Sequence, residues 1–387
     1  MARQYTTLEM LERLIAFNTT SSLSNLPIID FIEAYLHEWG IAAYRTVSAE
    51  GDKSNLWATI GPQDLGGGIV LSGHTDVVPV TDQTWNSDPF VLTNRDGKFY
   101  GRGTADMKTF IAIVLAHVPD MLRQPLRTPL HFAFSYDEEP GCHGVPHLIA
   151  DVTKRFPRPK LVIVGEPTEM NLVVAHKGCH VFETIFTGRA AHSSAPHLGA
   201  NAIAAAAQAV LILQSMADEL KRAAPGNSPF DPPYTTIGVA TIDGGAATNI
   251  VPERCRLRWD LRNLPDVNPD DIVAEFNRRC ADIILPEFQR TAPEATIRTK
   301  KLAGIPPLRP ETDSPAAELV RLLSGQNDNH VVSYGTEGGL FQAAGLSCVI
   351  CGPGNIAQAH QPDEFITSSQ ITAGEKFIKS LISWAHV

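Results

Sequence analysis

The sequence predicts an α/β fold: a larger domain with a central, mostly parallel sheet flanked by helices, and a smaller, ferredoxin-like α+β domain inserted into it. Three observations predict this fold. Helical and strand patterns alternate over residues 1–175, a β-α-β-β-α-β order follows over 179–305, and the alternation resumes after Pro306 and Pro307. A chain of 387 residues also exceeds the size at which one hydrophobic core stops growing.

The elements of the larger domain follow from helix caps and apolar periodicity. Thr6 and Glu9 form a capping box before a first helix, and a second amphipathic helix ends at Gly40. Further elements of this domain are strands over 56–60, 69–71, 130–135, 161–164 and 348–351, and helices over 108–122, 315–323 and 371–384. Such alternation is typical of a sheet with helices on both faces.

The middle of the chain has a different order of elements. A strand over 180–186 and an Ala-rich helix over 200–223 precede further elements predicted over 235–241, 254–261, 270–284 and 296–302. Strand, helix, two strands, helix and strand form a ferredoxin-like split βαβ unit. We therefore expect one domain to comprise residues 1–178 and 306–387, and the inserted domain to comprise residues 179–305.

The composition narrows the classes of partner. A net charge of −10 and an isoelectric point near 5.7 argue against nucleic acid and anionic membranes, which both require a basic surface. The N-terminus lacks the apolar segment of a secretory signal, and the most apolar helical stretch, 200–213, is too short to span a bilayer. Six cysteines scattered through a long chain suit reduced thiols and a cytoplasmic location.

Two of these cysteines, Cys348 and Cys351, form a CxxC pattern. A redox or zinc site is one interpretation of this pattern. However, the pattern lies in an apolar run that predicts a buried strand, and the sequence contains no second CxxC. We therefore favour packing as the role of both thiols.

Five segments with acidic or histidine side chains stand just beyond predicted strands or open a predicted helix. In open α/β sheets, ligands bind beyond the carboxyl ends of the strands, so these segments could converge on one cleft. Taken singly, each side chain is explained as well by a solvated loop charge or a helix cap. Five in equivalent places favour a metal site, with its ligands in the segments 72–76, 101–106, 137–139, 165–168 and 359–362.

The same segments resemble a known enzyme family. Their motifs are GHTDVVP at 73–79, GRGTADMK at 101–108, DEE at 137–139, GEPT at 165–168 and AHQPDE at 359–364. In this order they resemble the dinuclear zinc hydrolases that include acetylornithine deacetylase, succinyl-diaminopimelate desuccinylase, aminoacylase and carboxypeptidase G. The resemblance covers essentially the whole chain. Thr109 stands where this family usually has glycine and Pro140 follows the DEE, but neither departure removes a ligand.

The resemblance implies that the five candidate ligands hold two divalent metal ions. His74 and Glu166 would bind one ion, Glu139 and His360 would bind the other, and Asp106 would bridge them. Mixed imidazole and carboxylate ligands suit Zn²⁺, with Co²⁺ or Mn²⁺ as alternatives.

Two further residues have implied roles beside the metals. Asp76 would accept a hydrogen bond from His74 and thereby fix the tautomer of that imidazole. Glu138 would be the general base: it would take a proton from a metal-bridging water, so that hydroxide attacks the amide, and would deliver that proton to the departing amine. Glu138 could instead be a third ligand or a mere charge beside Glu139.

In this family the inserted domain serves as a lid and as the dimerisation surface of a homodimer. His192, in RAAHSS, would reach the neighbouring subunit's active site and stabilise the tetrahedral oxyanion; an ordinary surface histidine is the alternative. Asn249 and Arg262 match positions that hold substrate. The planar guanidinium of Arg262 suits bidentate capture of an α-carboxylate, whereas an ion pair with Asp260 or Glu253 is the alternative.

The substrate implied is a small N-acyl amino acid. The run YGTEGGLFQ at 334–342 is most similar to acetylornithine deacetylases, which remove acetyl from N2-acetyl-L-ornithine to give L-ornithine and acetate in arginine biosynthesis. Glu337 offers a carboxylate to the ammonium of such a substrate, or it could cap the Gly-rich turn that follows. Aminoacylase, desuccinylase and carboxypeptidase G-like activities are the alternatives.

Other classes of function fit the sequence less well. A binding protein that kept the fold without catalysis would be expected to lack the base or a ligand, and all are present. A dinucleotide site is disfavoured because Asp106 replaces the third glycine of the motif that Gly101 and Gly103 begin. A serine hydrolase would need a G-x-S-x-G elbow after a strand, which the sequence does not contain.

Overall fold

A computed structural model describes residues 2–386 and divides the chain into two compact units. The first unit comprises Met1–Ala175, Leu308–Val331 and Thr336–Val387, and the second comprises His176–Pro307 and Val332–Gly335. The second unit is thus inserted into the first, and four residues of a later segment return to it. The role of the inserted domain as a lid and dimerisation surface stays a prediction.

The described residues form helices and strands in the following order. The helices are α1 (Thr7–Ile15), α2 (Leu26–Glu38), α3 (Lys108–Ala116), α4 (Val118–Met121), α5 (Val145–Arg155), α6 (Ala202–Arg222), α7 (Pro269–Arg279), α8 (Leu285–Phe288), α9 (Pro315–Ser324), α10 (Gly338–Ala343) and α11 (Ser368–Ala385). The strands are β1 (Ala43–Val47), β2 (Ser54–Ile60), β3 (Ile69–His74), β4 (Thr93–Arg95), β5 (Lys98–Tyr100), β6 (Leu130–Ser135), β7 (Leu161–Pro167), β8 (Val173–His176), β9 (Cys179–Thr187), β10 (Thr236–Gly244), β11 (Arg254–Arg262), β12 (Thr296–Ile305), β13 (His330–Val332), β14 (Ser347–Gly352) and β15 (Phe365–Thr367).

An eight-stranded sheet organises the first unit, in the order β1-β2-β6-β3-β7-β14-β8-β13. The four central strands β6, β3, β7 and β14 are parallel neighbours, whereas β2 runs antiparallel to β1 and β6, and β8 runs antiparallel to β14. Every residue of β3 and β6 is buried, as expected for parallel strands covered on both faces. The predicted α/β class with a mostly parallel sheet is therefore confirmed.

Local signals explain where the first helices begin and end. The Thr6 hydroxyl accepts a hydrogen bond from the Glu9 amide at 3.2 Å, and the Glu9 carboxylate accepts one from the Thr6 amide at 2.8 Å. This is the predicted capping box. After α2 the chain turns at Gly40, whose φ of 75° lies in the left-handed region that favours glycine.

The second unit contains a four-stranded antiparallel sheet in the order β10-β11-β9-β12. This order and the helices α6 and α7 are those of a ferredoxin-like unit, as predicted. Trp259 is central to its core: its ring stacks on Phe182 with the ring centroids 4.5 Å apart and meets Phe276 edge-on at 5.2 Å.

Helix α6 corrects one argument made from the sequence. Among the described residues it is the one helix long and apolar enough to cross a membrane, with 21 residues, so the shortness of the 200–213 stretch excludes nothing. The core helix of a water-soluble protein has the same length and composition. The buried face of α6, including Ala206 and Leu213, belongs to the core of the second unit.

Two predicted helices are interrupted in the structure. The helix predicted over 108–122 ends at Ala116, and α4 begins two residues later with Pro119 in its first turn, where its missing N–H is tolerated. The helix predicted over 270–284 changes to a π-helical turn at Cys280–Ile284. The helices α5, α8 and α10 and the strands β1, β4, β5, β8, β13 and β15 were not predicted, because most are too short to show a clear period.

Candidate metal centre

The structure gathers the five candidate ligands at one edge of the eight-stranded sheet. His74 is the last residue of β3, Glu166 lies near the end of the adjacent β7, Glu139 follows β6 and His360 follows β14. Asp106 lies in the turn before α3. Because the carboxyl ends of parallel strands meet at the same edge, residues far apart in the sequence become neighbours there.

The carboxylate of Asp106 lies between the two histidines. Its Oδ1 is 2.9 Å from His74 Nε2, and its Oδ2 is 3.4 Å from His360 Nε2. Glu166 Oε1 lies 3.7 Å from His74 Nε2, and Glu139 Oε2 lies 3.0 Å from His360 Nε2. The five side chains therefore form two adjoining groups that share Asp106.

This donor set fits a pair of divalent cations. Ligand atoms bound to one tetrahedral zinc ion at about 2.0–2.1 Å lie ~3.3 Å from one another. The nitrogen–oxygen distances of 2.9–3.7 Å within the two groups span that value. Imidazole nitrogen and carboxylate oxygen are also ligand types that zinc prefers.

The electrostatics of the site point to the same need for cations. Burial, together with neighbouring carboxylates, raises the pKa of Glu166 well above its usual value, and burial also raises the pKa of Glu139. Burial opposes a charge on His74 as well, but the hydrogen bond to Asp106 holds the pKa of that imidazole well above its usual value. These side chains therefore retain protons, which reduce the net negative charge of the buried site. Bound metal ions would supply that positive charge instead.

The structure corrects which atom of Asp76 meets His74. His74 Nδ1 is 3.0 Å from the backbone carbonyl of Asp76, whereas the nearest carboxylate oxygen of Asp76 lies at 3.7 Å. Because a carbonyl can only accept, Nδ1 carries a proton there, so Nε2 is the nitrogen that would give its lone pair to a metal ion in place of the proton it shares with Asp106. The Asp76 carboxylate accepts hydrogen bonds from the Ser21 hydroxyl and from the amides of Glu138 and Glu139.

Glu138 lies within the group around His74. One ligand atom each of Glu138, His74 and Glu166 lie within 4.8 Å of one another, so these three side chains could bind the same metal ion. Burial raises the pKa of Glu138 well above its usual value. The buried thiol of Cys142 donates to Glu138 Oε1 at 3.4 Å. The roles of base and third ligand thus both remain open to Glu138 from geometry alone.

Glu337 does not cap the Gly-rich turn that follows it, and its predicted contact with a substrate ammonium stays a prediction. Its side chain is 1% exposed and accepts hydrogen bonds from the hydroxyls of Ser135 at 2.5 Å and Ser72 at 3.2 Å. It precedes α10 but makes no capping hydrogen bond to that helix. Burial raises the pKa of Glu337 to about 7. Glu337 therefore joins β3 to β6 from inside the first unit.

His192 and Asn249, both exposed, lie side by side in the second unit. The amide of Ser193 donates to the Asn249 carbonyl at 2.9 Å. The amide of Ser194 donates to His192 Nδ1 at 3.1 Å, so a neutral His192 ring carries its proton on Nε2. An exposed Nε2–H is a hydrogen-bond donor, which is the property that the predicted oxyanion role requires.

Arg262 ends β11 and makes the ion pair that the sequence offered as an alternative. Its Nε lies 3.1 Å from Asp260 Oδ2, and both side chains are about one-third exposed. Partly exposed ion pairs contribute little to stability, so this contact leaves the substrate-binding role of Arg262 as a prediction.

Sequence reasoning missed residues that hold the ligands without binding metal. Cys142 contacts the predicted base, and the Glu364 carboxylate accepts hydrogen bonds from the amides of Ala105 and Asp106 at 2.7 and 3.0 Å. Glu364 ends the AHQPDE motif, which was the one available signal. The predicted packing role of Cys348 and Cys351 agrees with their position, since both are free, buried thiols in β14.

Sequence comparison places the chain in a family. Residues 70–384 match the model of peptidase family M20/M25/M40. Among curated proteins, the acetylornithine deacetylase of Pasteurella multocida (strain Pm70) is 35% identical over 384 residues, covering 97% of each chain. The acetylornithine deacetylase of Photorhabdus laumondii is also 35% identical, covering 97% of this chain and 96% of its own.

Solved structures share the fold at lower identity. An M20 family metallo-carboxypeptidase from Sulfolobus solfataricus is 17% identical with a TM-score of 0.75, covering 98% of this chain and 99% of its own. A dinuclear metal-binding peptidase of the M20 family from Bacillus subtilis is 16% identical with a TM-score of 0.64, covering 98% of each chain. The chain described here is therefore a hydrolase that belongs to peptidase family M20/M25/M40.

Proposed function

We propose that this protein is a metal-dependent amide hydrolase that removes acetyl from N2-acetyl-L-ornithine, giving L-ornithine and acetate in cytoplasmic arginine biosynthesis. The observation that best supports this chemistry is the position of the Asp106 carboxylate between two histidines. Its Oδ1 lies 2.9 Å from His74 Nε2 and its Oδ2 lies 3.4 Å from His360 Nε2. The choice of substrate rests on 35% identity to acetylornithine deacetylases over 97% of the chain.

In this proposal the two groups of ligands hold one divalent ion each. His74 and Glu166 would hold the first, Glu139 and His360 would hold the second, and Asp106 would contribute to both. When bound, such ions lower the pKa of water towards about 7 and polarise the acyl oxygen. The tautomer fixed by the Asp76 carbonyl leaves His74 Nε2 free to donate its lone pair.

Glu138 moves the protons of the reaction. It takes a proton from the attacking water and returns it to the departing amine nitrogen, which must be protonated before the amide bond breaks. Burial raises the pKa of Glu138, so its carboxylate, once ionised, holds a transferred proton more strongly than an exposed carboxylate does. The Asp76 carboxylate supports this task by holding the Glu138 amide at 3.1 Å.

Residues of the second unit complete the proposed reaction in a homodimer. The Nε2–H of His192 donates to the developing oxyanion, which requires the neutral tautomer favoured by the Ser194 amide. The Arg262 guanidinium exchanges Asp260 for the substrate's α-carboxylate, and Asn249 contacts the substrate beside it. Charge-assisted hydrogen bonds to a carboxylate are the stronger kind, which supports such an exchange.

A broader N-acyl-amino-acid hydrolase is the second candidate. The observation that favours it is the burial of Glu337, the side chain predicted to meet the ornithine ammonium. With that carboxylate bound to Ser72 and Ser135, the described residues offer no assigned partner for a substrate ammonium. An aminoacylase, a desuccinylase or a carboxypeptidase G-like enzyme needs no such partner.

A substrate panel on protein reconstituted with Zn²⁺ or Co²⁺ tests the proposal. N2-acetyl-L-ornithine, N-acetyl-L-methionine, N-succinyl-diaminopimelate and N-acylated glutamate are compared by kcat/KM. We expect N2-acetyl-L-ornithine to exceed N-succinyl-diaminopimelate by at least about 100-fold, because a second acid on the acyl group adds an unpaired charge at the site. The opposite order would refute the substrate, and hydrolysis of none would refute the function.

A further inference from the structure

Two loops of the first unit carry ligands that must keep a fixed separation. The Asp106 loop comprises residues 101–106, and the His360 loop comprises residues 360–364. Neither loop is part of a helix or a strand, yet Asp106 Oδ2 and His360 Nε2 lie 3.4 Å apart. The structure shows what joins these two loops.

The carboxylate of Glu364, in the His360 loop, is surrounded by donors from the Asp106 loop. Its Oε1 accepts from the amides of Ala105 at 2.7 Å and Asp106 at 3.0 Å. Its Oε2 accepts from the Gly103 amide at 2.9 Å and from Arg102 Nη1 at 2.8 Å. Four donors saturate the carboxylate, so Glu364 has no oxygen lone pair left for a metal ion or a substrate.

Arg102 adds a second connection between the loops. Its Nη1 donates to the Gln361 carbonyl at 3.3 Å, and its Nη2 donates to Gln83 Oε1 at 2.5 Å. Gln83 in turn donates from Nε2 to the His360 carbonyl at 3.1 Å. The backbone of His360 is thereby held at a φ of 60°, a conformation that residues other than glycine rarely keep without such contacts.

The burial of this pair indicates a purpose beyond stability. Arg102 and Glu364 are each 1% exposed, and replacing a buried ion pair by apolar residues is often neutral or stabilising. What apolar residues cannot provide is directional bonding from a single side chain to three backbone amides of one loop, those of Gly103, Ala105 and Asp106. Hydrogen bonds of this kind fix the orientation of ligand-bearing segments at metal sites.

We propose that Glu364 is a positioning residue, which holds Asp106 and His360 at the separation that the second metal ion requires, with Arg102 and Gln83 as its supports. This inference rests on the proposed function, since it takes Asp106 and His360 to be ligands. It assigns Glu364 no contact with metal or substrate. The first ion, which has His74 in β3, depends less on this network.

The direct test is Glu364→Gln, which keeps the shape of the side chain. One carboxylate oxygen becomes an NH₂ group. In one orientation this group faces the amides of Ala105 and Asp106, and in the other it faces the Gly103 amide and Arg102. In both cases N–H groups face each other, so two hydrogen bonds are lost. We expect the second Zn²⁺ to bind about 10–100-fold more weakly, as is usual for residues that orient metal ligands. The measurement is a calorimetric titration of the folded metal-free protein, with folding checked by near-UV circular dichroism.

The matched control is Asp363→Asn, the same chemical change one residue away in the same loop. Asp363 accepts from the Asn86 amide and pairs loosely with Arg95, and has no bond to the Asp106 loop. We expect both ions to bind the control as they bind the wild type. Gln83→Ala gives a second variant at the edge of the network, should Glu364→Gln not fold. It loses the hydrogen bond to the His360 carbonyl and the two that Gln83 Oε1 accepts from Arg102 and Trp85, and we expect about fivefold weaker binding of the second ion.

The outcomes separate this inference from the proposed function. Unchanged affinity for both ions in Glu364→Gln and in Gln83→Ala, beside a wild type that binds two, overturns the positioning role alone. Equal weakening in Asp363→Asn also overturns it, because the effect would then belong to the loop in general. A wild type that binds no second ion overturns the proposed function and this inference together.

Discussion

The two histidines of the metal centre stand in contrasting surroundings. His74 ends β3, is 1% exposed and has its Nδ1 bonded to a backbone carbonyl of the same segment. His360 lies in a loop, has a side chain that is 49% exposed and keeps a left-handed backbone. Both imidazoles nevertheless approach the same carboxylate of Asp106.

The difference shows that one metal site can combine a ligand fixed by the sheet with a ligand whose position depends on contacts between loops. The sheet fixes His74 because moving it would disturb buried strands on both sides. The position of His360 depends on hydrogen bonds between two loops instead of a sheet, and its own side chain is 49% exposed, so it is freer to move. We therefore expect the His74 side to bind its ion more tightly than the His360 side.

The largest effect is expected on the rigid side, at Glu138. Glu138→Gln keeps the volume of the side chain but cannot take a proton, so kcat should fall by about 10²–10⁴-fold while the ions stay bound. Glu169→Gln, the same change at an exposed position beyond β7, is the control and should leave kcat unchanged. Near-normal turnover in Glu138→Gln would remove Glu138 from the mechanism and leave the ligand interpretation.

The comparison itself is tested by removing each imidazole in turn. His360→Ala should keep one tightly bound ion and weaken the other on the order of 100-fold or more, whereas His74→Ala should lose the tight ion. The readout is the number and affinity of bound Zn²⁺ by equilibrium dialysis, with the exposed His197→Ala as control. If the two variants weaken the same ion equally, the contrast between the two sides is wrong.

A smaller effect is expected from Glu337→Gln, which separates the two interpretations of that residue. As a structural contact for Ser72 and Ser135, the change should lower kcat/KM for all N-acetyl amino acids alike, by about tenfold or less. If Glu337 instead binds the ammonium of the ornithine side chain, the change should lower kcat/KM for N2-acetyl-L-ornithine and leave kcat/KM for N-acetyl-L-methionine unchanged. The ratio of the two kcat/KM values is therefore the measurement that decides.

The last prediction concerns stability and not activity, at His131 in β6. Burial lowers the pKa of His131 from 6.5 to about 4, so between these values the folded chain keeps it neutral while the unfolded chain protonates it. Protonation then favours unfolding, and stability falls as the pH drops from about 6.5 to 4, by up to about 3 kcal/mol.

His131→Phe removes this proton uptake and keeps a ring against Trp57, on which His131 stacks at 4.9 Å between centroids. Urea unfolding of the metal-free protein at pH 7 and pH 4 should show a smaller loss of stability in the variant than in the wild type. Equal losses in both proteins would show that His131 does not contribute to acid sensitivity.

The sequence predicted those parts of the site that follow from topology. Residues just beyond parallel strands must share one sheet edge, which is why His74 and Glu166 could be placed together without coordinates. The apolar runs of β3 and β6 likewise predicted a buried sheet. Selecting the ligand within each of the five segments, Asp106 and His360 among them, required the family resemblance, because the sequence alone does not fix the direction of a side chain.

Atomic partners could not be predicted in the same way. Whether Asp76 meets His74 through its carbonyl or its carboxylate depends on a backbone rotation that the sequence does not encode locally. The pairing of Glu337 with two serines joins residues more than 200 positions apart. Glu364 gave no periodic signal at all, since its four donors come from a loop and not from a regular element.

The most direct test of the central claim is anomalous X-ray scattering at the zinc edge from crystals of the reconstituted protein. The account predicts two peaks about 3.5–4 Å apart, with one oxygen of Asp106 directed at each and His74 and His360 on opposite sides. A single peak, or two peaks that do not share Asp106, would contradict it.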